Sequence, residues 1–143
     1  MRDISNRTSV VKALAPAVVT ADTNGSTIDL QGFNSAMMVM HTGIEGDTLS
    51  GSVKFDFILE ESDNGSDWSA VTSSTDVTEG SVDSSGIFLT LDDNAETPQV
   101  TQIGYIGGSQ YIRVRIDATG SHSNGTPMSA VVVKGNPSDS EDA

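Results

Sequence analysis

Apolar side chains recur at every second position in several short runs of this chain. The clearest is residues 52–60, SVKFDFILE, where Val53, Phe55, Phe57 and Leu59 share one side and Lys54, Asp56 and Glu60 the other; Ile58 is the exception. A period of two marks a strand with one face buried. Residues 110–117, QYIRVRID, repeat the pattern, with Ile112, Val114 and Ile116 on one side and Tyr111, Arg113 and Arg115 on the other. Residues 36–40, AMMVM, are continuously apolar but too few for a helix of ordinary length, so the run predicts a strand covered on both faces. Residues 129–134, SAVVVK, are short and β-branched, the composition of a strand. Shorter strand signals lie at 10–14, 18–21, 27–30, 87–91 and 102–106.

Turn chemistry separates these runs. Asn24-Gly25, Asn64-Gly65 and Asn124-Gly125 are expected to supply the positive φ that tight turns need. No 11-residue window carries apolar residues at the helical period of 3.6. Many short strands with turns between them predict an all-β chain, a single β-sandwich or β-barrel of jelly-roll or Ig-like type. Strand order does not show in the period, so both types stay open. The Ser/Thr/Asp/Gly-rich stretch 69–86 predicts an extended excursion at one edge. The expected division is an extended N-terminal arm over residues 1–12, a β-sandwich domain over 13–136 and a short, disordered acidic tail over 137–143.

Composition adds two constraints. The chain has 143 residues and no cysteine, so packing and hydrogen bonds alone must hold it. The second constraint is charge: 20 acidic residues against 7 basic ones leave a net charge of −13. Such a surface repels phosphate backbones and anionic headgroups, which argues against nucleic acid and membrane as partners. No apolar run approaches the ~18 residues of a membrane span. Lys12 and Pro16 interrupt the apolar stretch that a signal peptide requires, so synthesis in the cytoplasm is expected.

The bases are unevenly placed. Arg2, Arg7 and Lys12 meet one acid, Asp3, within the first 12 residues, while Asp139, Glu141 and Asp142 end the chain without a base. The basic start reads as an arm able to lie on an acidic neighbour. Arg113 and Arg115, on one face of a strand, read as a second candidate docking patch, with local salt bridges to nearby acids as the alternative.

Catalytic motifs are missing. Neither His41 nor His122 has a second histidine at metal-ligand spacing. There is no GxSxG nucleophile elbow. Gly104, Gly107 and Gly108 do not match a dinucleotide fingerprint, and no helix follows them. Residues 60–68, EESDNGSDW, crowd oxygen ligands at Asp63 and Asp67. Counted from Asp63, however, Gly65 is third where a calcium loop needs glycine sixth, and Ser74 holds the twelfth position where glutamate belongs. That segment predicts a polar hairpin turn leading into Trp68, whose ring is expected to cap the sandwich. Residues 92–96, DDNAE, predict a solvated turn. The expectation is a protein that binds or assembles and is not an enzyme, with no cofactor and no metal.

The segments VVKALAPAVV, IDLQGFNSAMMVMHTG, FILEESDNGSDWSAV, IGYIGGSQYIRVRI and TPMSAVVVKGNP follow one another over residues 10–137. In that order they resemble small proteins of tailed bacteriophages and prophages, the capsid decoration or cement proteins. The resemblance implies a β-sandwich or β-barrel module bound outside an icosahedral shell and resident on the virion. It implies the major capsid protein as partner, with self-association into a trimer or other oligomer on the shell as a further option, and no catalytic residues. A tail or neck component has the same features. The runner-up is a carbohydrate-binding or host-surface-binding β-sandwich module, which needs an aromatic platform; this chain has one Trp, two Tyr and four Phe.

Overall fold

The computed structural model describes residues 4–137; Arg2 and the tail residues 138–143 lie outside the described residues. Two antiparallel sheets pack face to face as a sandwich. The first comprises β1 (Ser9–Val19), β4 (Phe33–Thr42), β7 (Val77–Thr78), β9 (Gln99–Tyr105) and β11 (Thr126–Pro137), in the order β1-β11-β4-β9-β7. The second is built on β5 (Lys54–Ser62) and β10 (Tyr111–Thr119), paired along their full length. The short β2 (Thr23–Asn24) and β3 (Ile28–Asp29) follow one another along the outer edge of β10. Likewise β6 (Ser69–Ala70) and β8 (Ile87–Leu91) share the outer edge of β5.

The period-two pattern explains the core. Phe55, Phe57 and Leu59 of β5 and Ile112, Val114 and Ile116 of β10 are fully buried on the inner face of the second sheet. Met38 and Met40 of β4, Ile103 and Tyr105 of β9, and Met128, Ala130 and Val132 of β11 meet them from the first sheet. Unbranched methionines fill irregular gaps between such aromatic and β-branched neighbours.

Several expectations change, and the exception at Ile58 is explained. The AMMVM run is buried on one face only: Ala36, Met38 and Met40 point inward, while Met37 and Val39 are half-buried on the outside. Ile58, the exception to alternation in β5, is buried on the outer face because the 69–86 excursion folds over it; a Cβ added to Gly86 would touch both Ala70 and Ile58. Residues 9–12, expected in a free arm, belong to β1, where Ser9, Val10, Val11 and Lys12 pair with Lys134, Val133, Val132 and Val131 of β11. At the other end Pro137 closes β11 opposite Phe33. Finally, Asn24-Gly25 is not a positive-φ turn, although Gly65 and Gly125 do have φ of 77° and 75°. Gly25 is needed for close approach: its amide donates to Val114 O, and the next amide, of Ser26, donates to Ala13 O. A Cβ there would stand 2.7 Å from Ala13 O. Gly25 and Ser26 thus stitch β1 of one sheet to β10 of the other along one side of the sandwich.

A second tie crosses the interior. The Tyr105 hydroxyl on β9 donates to Glu61 Oε1 on β5 at 2.6 Å and accepts from the Ser109 amide at 3.2 Å. Burial, and then the bond to Glu61, push the phenol up from 10.0 to about 12. A phenol that ionises less readily when folded contributes stability that is complete below pH ~10 and is lost as pH rises through the folded value. Urea unfolding between pH 10 and 12 is therefore expected to show a loss about 1–2 kcal/mol larger in the wild-type protein than in Tyr105→Phe, which has no group to titrate at that position.

Candidate docking surfaces

The basic residues singled out in the sequence do not form one patch. Arg2 is outside the described residues, and Arg7 lies between a short 3-10 turn, Ile4–Asn6, and β1. Lys12 is exposed on the outer face of the first sheet. Arg113 and Arg115 project from the outer face of the second, on the opposite side of the sandwich.

The two arginines converge on one carboxylate. Arg113 Nε donates to Glu60 Oε1 at 2.7 Å, and Arg115 Nε lies 3.2 Å from Glu60 Oε2. Arg115 Nη1 is also 3.3 Å from Asp117 Oδ1. The geometry realises the local salt-bridge alternative for this pair. Trp68 does not cap the end of the sandwich as expected; it stands on the outer face, its ring centroid 4.3 Å from the Arg113 guanidinium carbon. The guanidinium is a flat, weakly hydrated cation that stacks well on an indole, so the hairpin after β5 is drawn onto β10. The result is an open groove of about 380 Å³ between Asp22, Thr23 and Asn24 on one side and Trp68 on the other, floored by Glu60, Arg113, Arg115 and Asp117. Three carboxylates against two guanidiniums make it no basic patch.

The histidines are far apart in role. His41 is exposed on β4. His122 is buried, stacked on Phe55 at 4.1 Å, with Nε2 facing Thr119 O at 2.9 Å and Lys54 O at 3.2 Å. Two carbonyls can only accept, so that nitrogen carries the proton. The acidic turn 92–96 is a 3-10 turn, Asn94–Glu96, closed by a reciprocal Asp93–Glu96 cap. Glu45 accepts from Asn94 and Thr97, which ties this turn to the loop after β4. In the 60–68 segment, Asn64 Oδ1 accepts from the Ser66 and Asp67 amides at 2.8 Å, a self-contained polar turn. Among the described residues no group of three or more His, Asp or Glu side chains is placed to hold a metal ion.

A further surface was not singled out in the sequence: the outer face of the first sheet. None of the 20 acidic residues falls on its five strands. Register places Val10, Val133 and Met37 in one row across β1, β11 and β4, and Lys12, Val131, Val39 and Gln102 in the next, which reaches β9. A third row runs Ser129, His41, Val100. Val10 is 61%, Val100 62% and Val131 38% exposed. Of the seven exposed large apolar residues among the described residues, four, these three and Val18, lie on this face. An exposed apolar sheet face of this kind is a candidate contact surface.

Neither a known protein family nor a curated protein matches this sequence. The fold is similar to that of the SPBc2 prophage-derived protein YomS, at 14% identity and a TM-score of 0.46, over 88% of this chain and 92% of that one. It is also similar to a chain of Bacillus endospore appendages, described as a novel family of disulfide-linked pili, at 11% identity and a TM-score of 0.44, over 92% of each chain. Likeness at this level carries no functional argument. The disulfide linkage named for the appendages has no counterpart here, since this chain has no cysteine.

Glu60 is nearly buried and serves both arginines, so its loss leaves two cations facing each other without their shared partner. Glu60→Ala is expected to lower the unfolding free energy by about 1–3 kcal/mol. Asp117→Ala, which removes only a half-exposed pair, should cost no more than about 1 kcal/mol; urea midpoints of the two variants compare them directly.

Proposed function

We propose that this protein is a structural component of a phage-type particle, a decoration or cement protein that binds the outside of a capsid and stabilises it. The observation that supports the reading best is the division of its surface. A stiff sandwich carries one apolar sheet face with no acid on its strands, and the acids of the described residues lie elsewhere. Such a body suits permanent assembly: the apolar face gains from exclusion of water, and the charged remainder keeps crowded copies from aggregating. The resemblance of the order of sequence segments to that of decoration proteins favours a shell as the place of assembly. A protein that binds the closed shell and not its separated subunits stabilises the shell by linkage alone, with no catalytic group.

Capsids prepared without this protein and then mixed with it are expected to gain ordered external density in cryo-electron microscopy and to open at a higher temperature. Density on the tail or neck would reassign the protein to that part of the particle, and particles with no added density would end the reading.

A second reading rests on Trp68. The only tryptophan of the chain is spent on the wall of an open polar groove, not on the core. An indole beside Asn24, Asp22 and Arg115 offers a stacking surface and both donors and acceptors, which suits a neutral sugar. A glycan array is expected to show binding that Trp68→Ala removes if this groove is a recognition site; an array blank for the wild-type protein excludes it.

A further inference from the structure

We infer that the outer face of the first sheet is the contact surface for a second copy of this chain, in an isologous dimer. This rests on the reading of that face as an assembly surface and narrows it to one occupant.

Charge argues first. Two copies that each carry a net charge of −13 repel one another wherever carboxylates meet. The strands β1, β4, β7, β9 and β11 carry none, so among the described residues this face lets two copies approach without opposing strand carboxylates. Lys12 and His41 are the only ionisable groups on its three rows.

The register fits a two-fold axis. Flat sheets stack face to face at ~10 Å with strands roughly aligned, as the two sheets within the molecule do. An axis along the strands, between β11 and β4, lays Val131 of one copy over Val39 of the other and Val133 over Met37. It also lays Lys12 over Gln102 and His41 over Ser129. Apolar residues therefore meet apolar ones at the centre, and neither basic group meets its own symmetry mate. Closed two-fold contacts of this self-complementary kind are the commonest form of association between identical chains.

Size sets the strength. Four strands about 4.8 Å apart, followed for about seven residues at ~3.4 Å each, present roughly 450 Å² of flat area per copy. Two copies bury about 900 Å² before the relief of the side chains is counted, below the ~1,200 Å² at which standard specific interfaces begin and in the range of weak, transient ones. The dimer is accordingly reversible and concentration-dependent.

Sedimentation equilibrium of the full chain tests this. From ~1 μM to ~1 mM the mass is expected to rise from one chain, 14.9 kDa, toward two. Val131→Glu, at the centre of the face, and Val10→Glu, at its well-exposed edge, are each expected to weaken association at least tenfold while keeping the wild-type circular dichroism and melting curve. Ile44→Glu, an exposed apolar position off this face, should leave it unchanged. A wild-type protein that stays monomeric at ~1 mM overturns the inference. So does a dimer that survives Val131→Glu and Val10→Glu, or one that Ile44→Glu dissociates equally. If the wild-type protein is monomeric but Val131→Glu abolishes capsid binding, the face belongs to the shell, and the decoration reading stands without the dimer. A dimer that never binds capsids keeps this inference and removes the decoration reading.

Discussion

Each sheet of this protein can bury its inner face only against the other. With no cysteine and no long helix, the contact between Phe55, Phe57, Leu59, Ile112, Val114 and Ile116 on one side and Met38, Met40, Ile103, Met128 and Val132 on the other is the main source of cohesion. Interiors of this sort are packed to crystal-like density, so the distance and angle between the sheets are set closely by the side chains that interdigitate. The two ties across the gap depend on that spacing. Gly25 and Ser26 reach both Ala13 O and Val114 O only because the edges of β1 and β10 stand one strand width apart. Tyr105 reaches Glu61 only because β9 and β5 face each other at the length of a phenol.

Burying one face of a strand turns the other outward, and the two outward faces of this sandwich have opposite characters. The outward face of the second sheet carries Asp56, Glu60 and Asp117, and Lys54, Arg113 and Arg115 offset part of that charge. Asp56 and Asp117 are even direct cross-strand neighbours, a pairing that costs stability on its own. Lys54 at 3.6 Å and the Thr90 hydroxyl at 2.7 Å attend to Asp56, and Arg115 attends to Asp117, which makes the arrangement tolerable. The first sheet carries no acid and presents valine and methionine to its surroundings. A chain with a large excess of carboxylates that leaves a whole sheet free of them has one surface where electrostatic repulsion does not oppose contact. That is the physical basis for treating the face as an assembly surface and the arginine pair as internal bracing.

The arginine pair shows how far a sequence can be read toward a site. Alternation in QYIRVRID correctly placed Arg113 and Arg115 outward on one face. Whether they were free to dock depended on what lay opposite, and the register of β10 against β5 put Glu60 directly across from Arg113, within reach of Arg115 as well. The same limit applied to Trp68, whose ring goes to Arg113 because the hairpin after β5 folds back toward β10. Ile58 stood out as an exception without an explanation, and the AMMVM run went astray, for one reason: period and hydrophobicity report how much surface is covered and not which segment covers it. In β5 the cover was the 69–86 excursion; in β4 it was partly absent.

The acid-free face was visible in the sequence as five separate stretches lacking Asp and Glu, but nothing in their spacing says that they are neighbours. The chain by itself determined that it would be all-β, which residues of β5 and β10 would turn inward, and that its surface would be strongly negative. These follow from period two, turn chemistry and a count of charges, all of which are local or additive properties. Only the tertiary structure decided the strand order β1-β11-β4-β9-β7, the pairing of residues 9–12 with β11, and the gathering of the acid-free stretches onto one surface. Those depend on pairing between residues far apart in the chain, such as Lys12 with Val131, where the selecting force is the joint burial of two complete sheet faces and not the preference of any single segment.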